Sequence, residues 1–158
     1  MLYILKSIGL GLCCLTLVGC MNLGGLSYQQ AKMLKKQGFE FTSEGWMLGL
    51  PERLLFDFNV ADVNPQYVGQ LNTLAIQLKK YNLNRLKIFG YTDNVGSEQY
   101  NLNLSQQRAE HVSQYFLANG YLPANLQIIG RGSANPINEN DTEDNRAKNR
   151  RVSIVVVP

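Results

Sequence analysis

The chain has 158 residues, a length that allows one compact domain plus a short terminal segment. Apolar residues make up 45% and charged residues 17%, so a core can form and wholesale disorder is excluded. The balance of 15 Lys and Arg against 12 Asp and Glu gives +3, too small for a nucleic-acid partner, and the lone His111 rules out a multi-His zinc site. No metal and no cofactor are implied.

All three cysteines, Cys13, Cys14 and Cys20, fall in the first 20 residues, so no disulfide framework exists in the folded part. Lys6 precedes an apolar run from Ser7 to Val18, which reads as a cleaved signal peptide. The run is well below the roughly 20 residues that a membrane-spanning helix needs. Its end, Leu17-Val18-Gly19-Cys20, resembles the lipobox of bacterial lipoproteins. The resemblance implies removal of residues 1–19 and acylation of Cys20, and Met21 in place of Asp implies sorting to the outer membrane, facing the periplasm. More than one acyl chain gives the stable attachment that a single chain does not.

Residues 20–26 then read as a lipidated tether, and Cys20 to Tyr28 spans at most about 28 Å at roughly 3.5 Å per residue. Ser27 can cap a helix from Tyr28 to Lys36, stopped by Gln37-Gly38. Phe39, Phe41, Trp46, Leu48 and Leu50 nearly alternate across a Ser43-Glu44-Gly45 turn and predict a hairpin, so 27–53 reads as a helix-hairpin extension.

From Leu54 onward strand and helix alternate. Leu54 to Phe58 is the first predicted strand, and Asn64-Pro65 opens a helix with Val68, Leu71, Leu74, Ala75 and Leu78 in one stripe. Arg85 to Tyr91 is the second strand. Ser105 is a candidate cap for a helix burying Ala109, Val112 and Phe116 and ending at Asn119-Gly120. Leu126 to Ile129 and Val152 to Val157 are the remaining strands. The polar stretch Arg131 to Arg151 between them reads as a long functional or mobile loop.

Four motifs stand in register with these elements: Gly90-Tyr91-Thr92-Asp93-Asn94-Val95-Gly96, then Tyr100-Asn101 with Leu104-Ser105-Gln106-Gln107-Arg108-Ala109, then Gly130-Arg131-Gly132 with Pro136, then Asn145 to Val152. Together they resemble the OmpA-like peptidoglycan-binding domain, over 54–158. The resemblance implies an α+β fold, a βαβαββ two-layer sandwich of a mixed sheet with helices on one face. Tyr91 departs from the His that many members carry there. The block of Gly38-Phe39 and Trp46-Met47-Leu48-Gly49-Leu50 is similar to YfiB-type lipoproteins, which join the module to a signalling role.

The family's ligand is the diaminopimelate residue of the peptidoglycan stem peptide, whose end carries an ammonium and a carboxylate. By resemblance Asp93 takes the ammonium and Arg108 the carboxylate, the latter from the first turn of its helix. Asp57 would offer its backbone N–H, Asn101 a hydrogen bond, Leu104 shielding from water, and Arg150 a closing contact; Arg151 reads as a basic flank on an exposed strand. Phe39, Phe41 and Trp46 are equally compatible with the core and with a partner-facing patch. A catalytic role would need a nucleophile with a base, a metal or two apposed carboxylates, and the motifs hold none. The expectation is a non-catalytic, lipid-anchored wall-binding protein. The resemblance to YfiB-type lipoproteins adds capture of a periplasmic regulator of YfiR type that restrains a diguanylate cyclase, hence cyclic-di-GMP signalling. A structural tether like peptidoglycan-associated lipoprotein is the alternative, and a homodimer stays open.

Overall fold

The computed structural model describes residues 23–56 and 63–158. The expected leader, the lipidation candidate Cys20 and Asp57 lie outside the described residues.

Helix α1, Tyr28–Lys36, starts where the sequence places it. The Ser27 hydroxyl accepts from Gln30 N while Gln30 Oε1 accepts from Ser27 N, a reciprocal capping box that satisfies two otherwise orphaned donors. Gly38, at φ 87°, reverses the chain into a hairpin of β1, Glu40–Thr42, and β2, Gly45–Pro51. The segment expected as a free tether is tied down from Leu23 onward. Leu23 O accepts from both Leu26 N and the Trp46 indole, and Leu26 is buried. Phe41 packs against Gly24, leaving no room there for a side chain.

The strand expected over Leu54 to Phe58 does not form as such. Glu52–Leu55 make one helical turn, α2, and Phe56 keeps only a single antiparallel bridge to Val63, while residues 57 and 58 lie outside the described set. An apolar run of three, Leu54-Leu55-Phe56, fits a strand and a helical turn equally well. The strand that the sheet requires comes instead from the hairpin. β2 pairs antiparallel with β5, Arg151–Val156, from Trp46 opposite Val156 to Pro51 opposite Arg151.

The remaining elements are α3, Pro65–Lys80; β3, Leu86–Tyr91; α4, Glu98–Ala118; a 3-10 turn, Pro123–Asn125; β4, Leu126–Gly130; and α5, Glu143–Asn149. The five strands run in the order β1-β2-β5-β3-β4, with β3 and β4 parallel and the other pairs antiparallel, so the fold is the expected α+β mixed sheet. Leu74, Ala75 and Leu78 of α3 and Ala109, Val112 and Phe116 of α4 share one core with Ile88, Val152, Ile154 and Val156 of the sheet. Phe39 and Trp46 belong to that core, each 2% exposed, whereas Phe41 is 43% exposed. Of the two readings left open for these three, Phe39 and Trp46 take the core and Phe41 is the exposed one, its ring 5.4 Å from that of Trp46.

Among the described residues no helix covers the other face of the sheet. Phe89, Tyr91 and Val155 form a second small cluster there with Met47 and Ile129 beside them. Arg131 covers the Phe89 ring at 4.0 Å and Arg151 covers Tyr91 at 3.7 Å. Arg151 is thus buried rather than an exposed flank, and its guanidinium also donates to Asn149 O and Asn135 O.

Candidate functional site

The C-terminal ends of β3 and β4 place the site. Gly90 and Gly130 stand side by side in the parallel ladder, and α4 crosses directly over them. A Cβ on Gly130 would meet Gln106 N at 2.6 Å, and one on Gly90 would overlap the Ser105 carbonyl oxygen outright. Only bare backbone at both positions lets the helix approach this closely.

Ser105, expected as the helix cap, is fully buried inside α4. The cap is Ser97, whose hydroxyl accepts from Tyr100 N. Ser105 Oγ instead accepts from Gly132 N, and Gln106 Oε1 accepts from Gly130 N, so two side chains fasten the helix to the β4 turn. Arg108 therefore lies about three turns into the helix rather than in its first turn. The helix thus starts eight residues earlier than expected, and residues 98–104 carry it toward the Asp93 turn.

Asp93 is the second residue past the end of β3. Its Oδ1 accepts from Val95 N at 2.9 Å and its Oδ2 from Arg150 Nη1 at 2.7 Å. Asn101 is buried, and its Nδ2 donates to Val95 O at 3.0 Å and to Asp93 O, so this amide braces the loop that carries Asp93. Leu104 is half-buried at the rim. The stretch expected as a long loop contains α5, capped by Thr142, and is pinned by the fully buried Asn149. Asn149 Oδ1 accepts from Ile137 N and Asn138 N, and its Nδ2 donates to Asn138 O and Asn140 Oδ1. This frame delivers Arg150 to the cleft.

Together Asp93, Asn101, Leu104, Arg108 and Arg150 line one cleft of about 600 Å³, with Glu52, Arg53, Phe56, Thr92, Val95, Tyr100 and Glu143. All the expected ligand-binding residues except the undescribed Asp57 are thus brought together. Tyr91 is not: it alternates to the opposite face of the sheet, beside Phe89.

The OmpA family profile matches residues 55–150, more than half of the chain. The chain belongs to the OmpA family. Outer-membrane lipoprotein YfiB of Pseudomonas aeruginosa is 38% identical over 145 residues, covering 90% of this chain and 86% of that protein. The crystal structure of the peptidoglycan-associated lipoprotein from Burkholderia pseudomallei superposes with a TM-score of 0.60 at 31% identity, over 69% of this chain and 89% of that one. The cell wall anchor of the T6SS from Pseudomonas aeruginosa gives a TM-score of 0.65 at 26% identity, over 81% and 94% of the two chains. The resemblances read from the motifs are borne out, and none of these relatives is named as an enzyme.

The OmpA-family cleft of this chain is crowded with charge. Glu52 Oε1 accepts from Arg108 Nη2, and Glu52 Oε2 lies 2.7 Å from Arg150 Nε. Arg150 Nη2 also donates to Glu143 Oε1 at 2.7 Å. Burial works against the Arg108 charge and lowers its pKa, opposed by the nearby Glu52. For Arg150 burial acts the same way but is overcome by hydrogen bonds to Asp93 and Glu143, and its pKa is raised. Phe56 places its ring 5.6 Å from the Arg108 guanidinium and closes the floor.

Glu52 and Glu143 are the residues that sequence reasoning missed. Glu143 follows Thr142 with Asn145 three residues past the cap, a helix-start pattern that was readable. Glu52 had no such signal, because it lies 56 residues from Arg108 and outside every matched motif.

Proposed function

We propose that this chain is an outer-membrane lipoprotein, acylated at Cys20 and facing the periplasm, whose cleft binds the diaminopimelate end of the peptidoglycan stem peptide without catalysing a reaction. The observation that carries the reading is the placement of Asp93 and Arg108 in one cleft, a carboxylate and a largely buried guanidinium within electrostatic reach of each other. A ligand end with one ammonium and one carboxylate matches that pair charge for charge. Nε of Arg108 is buried and has no hydrogen-bond partner among the described residues, so it remains for an acceptor. The outer-membrane placement draws on the lipobox-like sequence and on the name of the YfiB relative.

The test is co-sedimentation with purified diaminopimelate-type sacculi. Asp93→Asn with Arg108→Ala should abolish pelleting with an unchanged far-ultraviolet circular dichroism spectrum, since an unpaired charge in a cleft of this kind costs about 2 to 5 kcal/mol of binding. Pelleting at the wild-type level removes the cleft from the account.

A second reading, capture of a YfiR-type periplasmic regulator of a diguanylate cyclase, is favoured by the reach of the YfiB match, which covers 90% of the chain and so takes in the hairpin. Phe41 is the exposed aromatic of that hairpin and the natural contact. Recovery of such a regulator from periplasmic extract on immobilised protein checks this reading against a purely structural tether.

A further inference from the structure

Arg108 is held by the chain itself. The side chains of Arg108 and Glu52 are 8% and 18% exposed, and the Glu52 carboxylate lies between two guanidiniums: Oε1 accepts from Arg108 Nη2, and Oε2 forms an ion pair with Arg150 Nε at 2.7 Å without hydrogen-bond geometry. Water screens such a bridge poorly at this depth. Yet the grip on Arg108 is one-sided. Among the described residues Nη2 donates to Glu52, while buried Nε has no hydrogen-bond partner. A guanidinium pairs best with a carboxylate that meets two of its nitrogens side by side. Glu52 is stretched between two arginines and engages only one nitrogen of Arg108.

From this geometry we propose that Glu52 is a built-in competitor for the ligand's carboxylate, occupying the Arg108 seat until a stem peptide displaces it. The inference rests on the cleft taking a carboxylate-bearing ligand, as proposed above. A ligand carboxylate seated on Nε and Nη2 gains the two-pronged contact that Glu52 lacks. It cannot share Nη2 with Glu52 without placing two negative charges against each other. Displacement also releases Arg150 Nε and leaves that side chain to Asp93 and Glu143, its other two partners.

Glu52 can leave by side-chain rotation: its end of the turn has no side-chain cap, while the far end is fixed by the buried Leu55 and Phe56 and by Asn64 N donating to Leu55 O. Glu52 opens α2, four residues long, held by Glu52 N donating to Arg150 O and Phe56 N donating to Glu52 O. The residue before it, Pro51, ends β2 opposite Arg151. Movement of Glu52 is therefore felt at the end of the strand that leads back to the hairpin, and occupancy of the cleft is coupled to that edge of the sheet.

The test is calorimetric titration with the tripeptide L-Ala-γ-D-Glu-meso-diaminopimelate, using the mature chain. If Glu52 holds the seat for about nine-tenths of the time, Glu52→Gln should bind about tenfold tighter than wild type. Glu143→Gln removes an equal charge from the rim without touching Arg108, and should tighten binding by less than about twofold, as a solvent-screened charge does. In the wild-type protein, hydrogen exchange of the Glu52 and Phe56 amides should speed up when the tripeptide is added, a readout that needs no variant to fold. Glu52→Gln binding no tighter than wild type, or slower exchange of α2 on binding, overturns the competitor. Failure of both proteins to bind tripeptide and sacculi overturns the ligand reading and the competitor with it.

Discussion

Two pairs of arginines lie on opposite sides of the same sheet, and they are held in different ways. In the cleft Arg108 and Arg150 meet carboxylates: Glu52, Asp93 and Glu143. On the other face Arg131 and Arg151 lie over Phe89 and Tyr91. Arg151 completes its bonding with two backbone carbonyls, and Arg131 adds an outer contact to Glu44 at 3.3 Å. A carboxylate partner can be exchanged for a ligand's carboxylate with little change in the arginine's surroundings. A ring and a backbone carbonyl cannot be exchanged in that way, so the stacked pair serves as a lid on the second apolar cluster. Residue type is the same, and the partner decides whether an arginine binds or seals.

The largest effect that separates the two sides is expected at Gly90. Its absent side chain faces α4, while the neighbours Phe89 and Tyr91 face the arginine lid. Gly90→Ala drives a methyl into the Ser105 carbonyl and must push α4, with Arg108, away from β3. We expect a loss of about 3 kcal/mol of stability, at the upper end for overpacking, because backbone yields less than a flexible side chain. Chemical denaturation measures it, and stem-peptide binding should weaken in parallel. A stable Gly90→Ala protein that binds normally would mean that the helix does not need this contact to hold Arg108.

Much of this arrangement could be read before the structure. The Ser27 cap, the stripe from Val68 to Leu78 and the helix stop at Gln37-Gly38 are local signals, and each element appears where its signal lies. Motifs in register brought Asp93, Asn101, Leu104, Arg108 and Arg150 to one cleft although they span more than fifty residues of chain. What was not legible depends on contacts across the fold. Leu54 to Phe56 carries no period that tells strand from turn, and the strand that pairs with β5 is β2 of the hairpin. Ser105 reads as a cap in isolation, and only the bond from Gly132 N to Ser105 Oγ shows why it lies inside the helix. Arg151 reads as a charged flank until Tyr91 is seen beneath it.

The stacked side can be broken alone. Arg151→Met keeps an unbranched chain of similar reach over Tyr91 but loses the cation and leaves Asn149 O and Asn135 O without their donors. The cation–ring contact and two lost hydrogen bonds together predict about 2 kcal/mol of destabilisation. Melting temperature should fall while the tripeptide affinity of the folded protein stays the same. Equal loss of affinity would show that the lid and the cleft act as one unit, and the contrast between the arginine pairs would fail.

The smallest expected difference is in response to acid, and it follows from the carboxylates on the cleft side. Glu143 accepts from Arg150 and Arg146, which hold its pKa below the ordinary 4.5, and Asp141 accepts from the Asn145 side chain and Thr142 N, which hold it below 3.8. A carboxyl whose folded pKa is depressed adds stability that is present above its unfolded value and is lost as pH falls through the folded one. The α5 segment that delivers Arg150 should therefore loosen below about pH 4. The Arg151–Tyr91 stack has no carboxylate in it and should persist through the same range. Hydrogen exchange followed from pH 6 to pH 3 should show faster opening of α5 relative to β5 after correction for intrinsic rates. Glu143→Gln should reduce that acid response by removing the carboxylate that accepts from Arg150 at the rim. An α5 segment that opens no more at pH 3 than at pH 6, or a Glu143→Gln protein with an unaltered response, would mean that Asn149 and its four hydrogen bonds hold Arg150 in place without help from charge.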